Sequence, residues 1–190
     1  MLHTCDDERS ESVPAQGCPC VQKSTEDFKK YCDGTMRAGP YENDPEAVER
    51  RIRSSAAVIR EVVGYGVRFA RDGKGNFRYT REGGHSEPRI LFHDDVTGKE
   101  ITSHLLSAVR ALPNVRILER CELVDVIAKD GECFGGVVRD LASGELFPVY
   151  AAATLLATGV VGGLWHNSTN SGSLAGHVLA HPMTSGMCVV

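Results

Sequence analysis

The segment spanning residues 80–101, TREGGHSEPRILFHDDVTGKEI, concentrates ionisable side chains around a pair of glycines. Gly83 and Gly84 permit a sharp backbone turn, because glycine adopts conformations that other residues avoid. Such a turn can direct Glu82 and His85 into one space.

Two arginines flank this turn. Arg81 and Arg89 can hold carboxylates through forked, charge-assisted hydrogen bonds. A loop of this composition suits a small dicarboxylate or a flavin phosphate. The alternative is a surface network of ion pairs, each contributing little. Composition alone leaves both interpretations open.

Glycines also follow the last apolar run of the chain, at Gly159, Gly162 and Gly163. A turn of small residues lets backbone N–H groups approach a ligand closely. Alone this signal is weak, since many turns need glycine only for its backbone conformation. No G-x-G-x-x-G sequence follows a strand, so the usual dinucleotide-binding fingerprint is missing.

Other catalytic patterns are poorly supported. His177 and His181 have helical spacing, but no H-E-x-x-H arrangement surrounds them and Pro182 would end a helix there. Cys18-Pro-Cys20 has no second pair to complete a zinc site. No G-x-S-x-G sequence surrounds a serine. We therefore expect no metal, and we expect the seven cysteines to be reduced thiols of a cytoplasmic protein.

The composition is that of an ordinary globular domain. The chain has 190 residues, 42% hydrophobic and 24% charged, with a formal net charge of −4. This balance argues against nucleic-acid binding. No apolar run is long enough to span a membrane, and the polar N-terminus does not resemble a secretory signal.

Three helices should position the ionisable loop. The first is expected from Ser24, as N-cap, to about Ala38. The second should begin at Asp44-Pro45 and end near Gly64, and the third should run from Thr97 to Pro113. The Gly-rich stretch at 70–80 suggests a small hairpin.

The remainder of the chain has the pattern of strands. Five short apolar or β-branched runs are separated by turn signals, at 115–118, 123–128, 133–138, 146–150 and 154–157. The last run reads as a buried strand that leads into a glycine turn. Helices followed by a β-meander predict an α/β or α+β architecture.

Six segments together resemble a known family: AQGCPCV (15–21), DGTMRAGPYEN (33–43), YGVRFARD (65–72), residues 80–101, ATGVVGGL (157–164) and NSTN (167–170). In this order and spacing they are similar to the L-aspartate oxidases, a branch of the succinate dehydrogenase/fumarate reductase flavoprotein family. The resemblance covers roughly residues 12 to 180. REGGHS followed by D-x-T-G-x-E-I is its most specific part.

The resemblance implies a partial FAD-binding, Rossmann-like domain with an inserted helical region and a β-meander. It implies FAD as cofactor and oxidation of L-aspartate to iminoaspartate, a step toward quinolinate and NAD, with oxygen or fumarate as electron acceptor. The implied divisions are a flavin-side loop (1–23), a helical region (24–112), strands (113–159) and a C-terminal segment (160–190).

Site residues follow from the same resemblance. Glu82 would recognise the substrate amino group, with His85 and Arg89 as the other candidate catalytic residues. The candidate flavin-side contacts are Ser12, Ala15, Gln16, Gly17, Val124, Ala157, Thr158 and Gly159.

The sequence also departs from the family pattern. The family's first strand with its G-x-G-x-x-G turn and its capping domain have no counterpart here, so we expect a member truncated at both ends. Cys18, Val160 and His177 replace residues that approach FAD in the family. An unpaired sheet edge would favour self-association. Two alternatives stay open: a non-catalytic interaction module of the same fold, and a fumarate reductase- or succinate dehydrogenase-type flavoprotein.

Overall fold

The computed structural model describes residues 12–13, 15, 19–157 and 165–167. The chain forms two compact units, one spanning Ser12–Pro113 and the other beginning at Asn114 within the described part. The first unit holds three helices, α1 (Thr25–Ala38), α2 (Pro45–Gly64) and α3 (Thr97–Arg110). The second holds three strands, β1 (Cys121–Lys129), β2 (Glu132–Asp140) and β3 (Leu146–Tyr150).

The three helices begin where the sequence predicts. The Ser24 side chain caps α1 by accepting a hydrogen bond from the Asp27 N–H, and Asp44 caps α2 by accepting one from the Glu46 N–H. Pro45 occupies the first turn of α2, where its missing N–H costs nothing. Helix α3 starts at Thr97 as expected.

Helix α2 packs through an apolar stripe. Ile52 and Ile59 are buried on it, whereas its arginines are exposed. Ile59 belongs to the core of the first unit, together with Val21, Val67, Phe69 and Leu91. This core fixes α2 against the extended segments that carry the candidate site.

Short extended segments pair beside that core. The Val21 N–H donates to the Arg89 carbonyl at 2.8 Å, and the Leu91 N–H donates to the Pro19 carbonyl at 3.0 Å. Ile90 exchanges both backbone hydrogen bonds with Thr80. The expected hairpin is present, with Arg71 bridged to Phe77. The segment after the diglycine turn is therefore held by backbone bonds on both sides.

The second unit is an antiparallel meander in the order β1-β2-β3. Asp130 and Gly131 form the β1–β2 turn with positive φ angles of 54° and 83°. Pro148 is tolerated in β3 because that strand lies at an edge, where a missing N–H donor is least costly.

Two predicted strands are absent from the described residues. Residues 115–118 form only a bridge at Leu118, and 154–157 have no strand structure. The prediction of a buried strand at 154–157 is wrong, since Leu155 is 91% exposed. An apolar run becomes a strand only beside a pairing partner, and within the described ranges none pairs with it.

Candidate functional site

The diglycine sequence forms the tight turn that was predicted. Gly83 has a φ angle of +54°, in the left-handed region that favours glycine. The backbone N–H of His85 donates to the Glu82 carbonyl at 3.3 Å, which closes a four-residue turn. Glu82 and His85 thus lie at the two ends of one turn, with the Glu82 side chain exposed and His85 half-buried.

A buried ion pair anchors the segment that follows this turn. Arg89 is 1% exposed, and its Nη2 donates to Asp27 Oδ1 at 2.5 Å, while Nε lies 3.5 Å from Asp27 Oδ2. The guanidinium also lies over the Tyr31 ring, with its Cζ atom 4.7 Å from the ring centroid. Removing either charge would leave the other buried and unpaired.

The carboxylate of Asp27 is kept ionised by its surroundings. Burial acts to raise the pKa of Asp27, but the hydrogen bond from Arg89, the backbone hydrogen bond from Lys23 and the charge of Arg89 hold this pKa below its usual 3.8. The pair therefore stays charged at neutral pH.

His85 contacts three side chains. Its Nδ1 lies 3.2 Å from Arg89 Nη1, and its Nε2 lies 3.4 Å from Cys20 Sγ. Tyr31 meets the imidazole edge-on, with ring centroids 5.8 Å apart. Burial and the positive charge of Arg89 lower the pKa of His85 below 6.5, against the opposing charges of Asp27 and Glu82. His85 is consequently a neutral imidazole at neutral pH.

A cavity of about 490 Å³ opens beside this cluster. Its wall is built from α1, the start of α2 and the diglycine turn, and includes Cys20, Tyr31, Asn43, Arg51 and His85. Burial, together with the charge and the hydrogen bond of Cys20, raises the pKa of Tyr31, so its hydroxyl stays protonated. The cavity wall thus combines apolar side chains with the hydrogen-bonding groups of Tyr31, Asn43 and His85 and the charged Asp44 and Arg51.

The described flavin-side residues of the first unit lie at the start of α3. The backbone N–H of Gly98 donates to the Ala15 carbonyl at 3.0 Å. A Cβ at Gly98 would collide with the carbonyl oxygens of Ser12 and Ala15. Both Ser12 and Ala15 are themselves exposed. Gly98 therefore allows this segment to lie against the helix while its outer face stays accessible.

The other predicted contacts are placed as follows. In the second unit, Val124 is half-buried at an irregularity in the register of β1, and Ala157 is exposed. The contacts predicted at Gln16, Gly17, Thr158 and Gly159 lie outside the described residues, as do the Cys18, Val160 and His177 departures and the His177–His181 pair. The roles of all these residues stay predictions.

Sequence reasoning missed Asp27, Tyr31 and Cys20, which surround His85 and Arg89. Asp27 and Tyr31 stand four residues apart on α1, so they share a face of that helix. That spacing was the available signal, but an acid in a first helical turn is more often explained by the helix dipole. Cys20 reaches the site because its backbone pairs with Ile90.

Within the described ranges, no group of three or more His, Cys, Asp or Glu side chains could hold a metal ion. The helices that the structure describes include none long and apolar enough to cross a membrane.

Comparison with known proteins assigns the class. Residues 6–188 match the model of a family described as FAD binding domain. The chain belongs to this family, and FAD is confirmed as the cofactor that the family indicates. Quinol fumarate reductase from E. coli superposes with a TM-score of 0.91 at 21% identity, over 96% of this chain and 32% of that one. Sdh1 of Mycobacterium smegmatis gives a TM-score of 0.87 at 24% identity, over 97% of this chain and 33% of that one. These likenesses confirm the fold.

The curated relatives narrow the branch. L-aspartate oxidase of Clostridium perfringens is 35% identical over 85% of this chain and 36% of its own length. The corresponding enzyme of Clostridium acetobutylicum is 35% identical over 87% of this chain and 38% of its own length. The resemblance to L-aspartate oxidases is therefore confirmed, and the chain spans little more than a third of these two relatives.

Proposed function

We propose that this chain is the part of an L-aspartate-oxidising flavoenzyme that contacts FAD and recognises the substrate ammonium group. The observation that carries the proposal is the closed diglycine turn, which leaves the Glu82 carboxylate exposed beside a buried anchor. An exposed carboxylate on a rigid turn can pair with an amino acid's ammonium without first releasing another cation. The identity of the curated relatives favours aspartate over succinate as substrate.

The described residues fit a flavin. Ser12 and Ala15 present an exposed edge whose backbone is tied to Gly98, so a planar ring could lie along it without reordering the segment. When bound, FAD supplies the hydride acceptor for oxidation of the substrate Cα–N bond. The chain's own contribution is orientation and charge. Oxygen or fumarate is the proposed final electron acceptor, and iminoaspartate the proposed product.

Flavin retention tests this proposal. The purified chain is mixed with FAD, unbound cofactor is removed by gel filtration, and the visible flavin absorbance of the protein peak is recorded. We expect FAD to elute with the protein. A protein peak without flavin absorbance would overturn FAD binding by this chain and favour a non-catalytic module of the same fold.

Alanine substitutions at two separate glycines, Gly98 and Gly73, locate the flavin-binding surface. Gly98→Ala should reduce the retained flavin because a Cβ there displaces the carbonyls of Ser12 and Ala15. Gly73→Ala is the matched control, since a Cβ at Gly73 meets no atom within 4 Å. Circular dichroism checks that both variants fold. Equal retention by the two folded variants would contradict a flavin site along this segment.

A further inference from the structure

One ring nitrogen of His85 faces a guanidinium, and the other faces a thiol, which can donate or accept a weak hydrogen bond. An arginine guanidinium carries only donors. Since Arg89 Nη1 lies 3.2 Å from Nδ1, that nitrogen must accept the bond and cannot carry a proton. In a neutral imidazole the proton then resides on Nε2, which lies 3.4 Å from the sulfur of Cys20.

We propose that Asp27 and Arg89 are positioning residues: they hold His85 as the neutral Nε2–H tautomer, and through it they fix the turn that presents Glu82. The tautomer follows from the geometry alone. Only the statement that Glu82 faces substrate rests on the proposed function.

The anchor itself is firmly held. The Asp27 N–H donates to Ser24 Oγ at 3.2 Å, and Asp27 Oδ2 accepts from the Lys23 N–H at 3.3 Å. Helix α1 therefore orients the carboxylate, and the carboxylate orients the Arg89 guanidinium. With Arg89 and Asp27 1% and 7% exposed as side chains, the pair has little access to water and little freedom to turn.

Burial and the charge of Arg89 favour the same neutral state, against the opposing charges of Asp27 and Glu82. Arg89 is the cation that faces the ring, Asp27 and Glu82 are the nearby carboxylates, and Cys20 and Tyr31 are the remaining titratable neighbours. Protonation would place an N–H on Nδ1 directly opposite an Arg89 N–H, where two donors repel. Burial adds to this cost. The imidazole of His85 is thus protonated only at a lower pH than the imidazole of a free histidine.

Fixing the ring fixes the turn. The His85 side chain is bonded through Nδ1, while its backbone N–H closes the turn on the Glu82 carbonyl at 3.3 Å. Gly83 and Gly84 are the flexible links of that turn. A glycine-rich turn has many conformations to lose, so an anchored residue at its end selects one of them.

The tautomer can be observed directly. Long-range proton–nitrogen correlation NMR on the ¹⁵N-histidine-labelled chain distinguishes the two neutral forms, and His85→Gln assigns the signal. We expect the Nε2–H pattern for His85 and a titration midpoint below 6.5. An Nδ1–H pattern, or a protonated ring at neutral pH, would overturn the proposal.

Two variants separate positioning from simple folding. Arg89→Lys retains the charge but lacks the fork needed to bond Asp27 and His85 together. We expect mixed tautomers and a higher His85 titration midpoint, while Lys30→Ala, which removes an exposed ion pair of the same loop, should leave both unchanged. If Arg89→Lys fails to fold, Asp27→Asn tests the tautomer alone: without the carboxylate that orients the guanidinium we expect mixed tautomers, whereas losing a charge that raises the pKa of His85 should not raise its titration midpoint. An unaltered His85 signal in the folded variant would contradict the proposal that Asp27 and Arg89 position His85. The readout needs no flavin, so failure of FAD binding would be seen separately.

Discussion

Two ion pairs join α1 to the loop after the diglycine turn, and they differ in burial. Arg89 and Asp27 are 1% and 7% exposed as side chains, whereas Lys30 and Glu87 are 60% and 38% exposed. Both pairs have short N–O distances, so distance alone does not distinguish them. Water screens the exposed Lys30–Glu87 pair, here called the outer pair. The protein interior does not screen the buried Arg89–Asp27 pair, here called the inner pair. A cation paired with a carboxylate therefore fixes the loop at the buried position, whereas a similar pairing at the exposed position only covers its surface.

The largest effect should come from breaking the inner pair. Arg89→Met is expected to lower the free energy of unfolding by about 3–5 kcal/mol, because it leaves the Asp27 charge buried without a partner. Urea denaturation followed by circular dichroism measures this loss. The double replacement Asp27→Leu with Arg89→Met should recover part of it, since no buried charge remains. A single variant as stable as the parent would show that the pair does not anchor the loop.

Lowering the pH should reduce the free energy of unfolding in two stages, one from His85 and one from Asp27. The pKa of His85 lies below its unfolded value of 6.5, so the unfolded chain takes up a proton first and stability falls as the pH drops below 6.5 toward the lowered pKa. The pKa of Asp27 is also lowered, so a second loss begins below 3.8 and is complete only beneath the lowered pKa.

Denaturation midpoints measured across this pH range test both stages. His85→Gln should remove the upper stage and Asp27→Asn the lower one. Stability that rises as the pH falls below 6.5 would contradict the assigned directions.

The smallest effect should come from breaking the outer pair. Lys30→Ala is expected to leave the denaturation midpoint nearly unchanged, because exposed ion pairs are solvated in both states. Added salt should make parent and variant indistinguishable, since ions screen surface charges. A loss comparable to that of Arg89→Met would abolish the distinction between the two pairs.

The sequence predicted what depends on neighbouring residues. Ser24 and Asp44 cap their helices, and Gly83 forms its turn, because caps and turns are local. The Asp27–Arg89 pair joins residues 62 positions apart, and no local signal indicates it. Arg89 was expected to face a ligand, and the structure instead directs its guanidinium to α1; its catalytic role stays a prediction. Residues 154–157 have the composition of a strand, but pairing, and not composition, makes a strand.

The central claim is that the anchored turn presents Glu82 to the ammonium group of an amino acid. It is tested most directly by titrating the FAD-loaded chain with aspartate and with succinate, which lacks the ammonium, and following the flavin absorbance. Glu82→Gln should weaken aspartate binding about tenfold or more, the value of a charge-assisted hydrogen bond, and leave succinate unaffected. Glu87→Gln, in the same loop, is the control and should change neither. Equal losses for both ligands, or none for aspartate, would contradict the role assigned to Glu82.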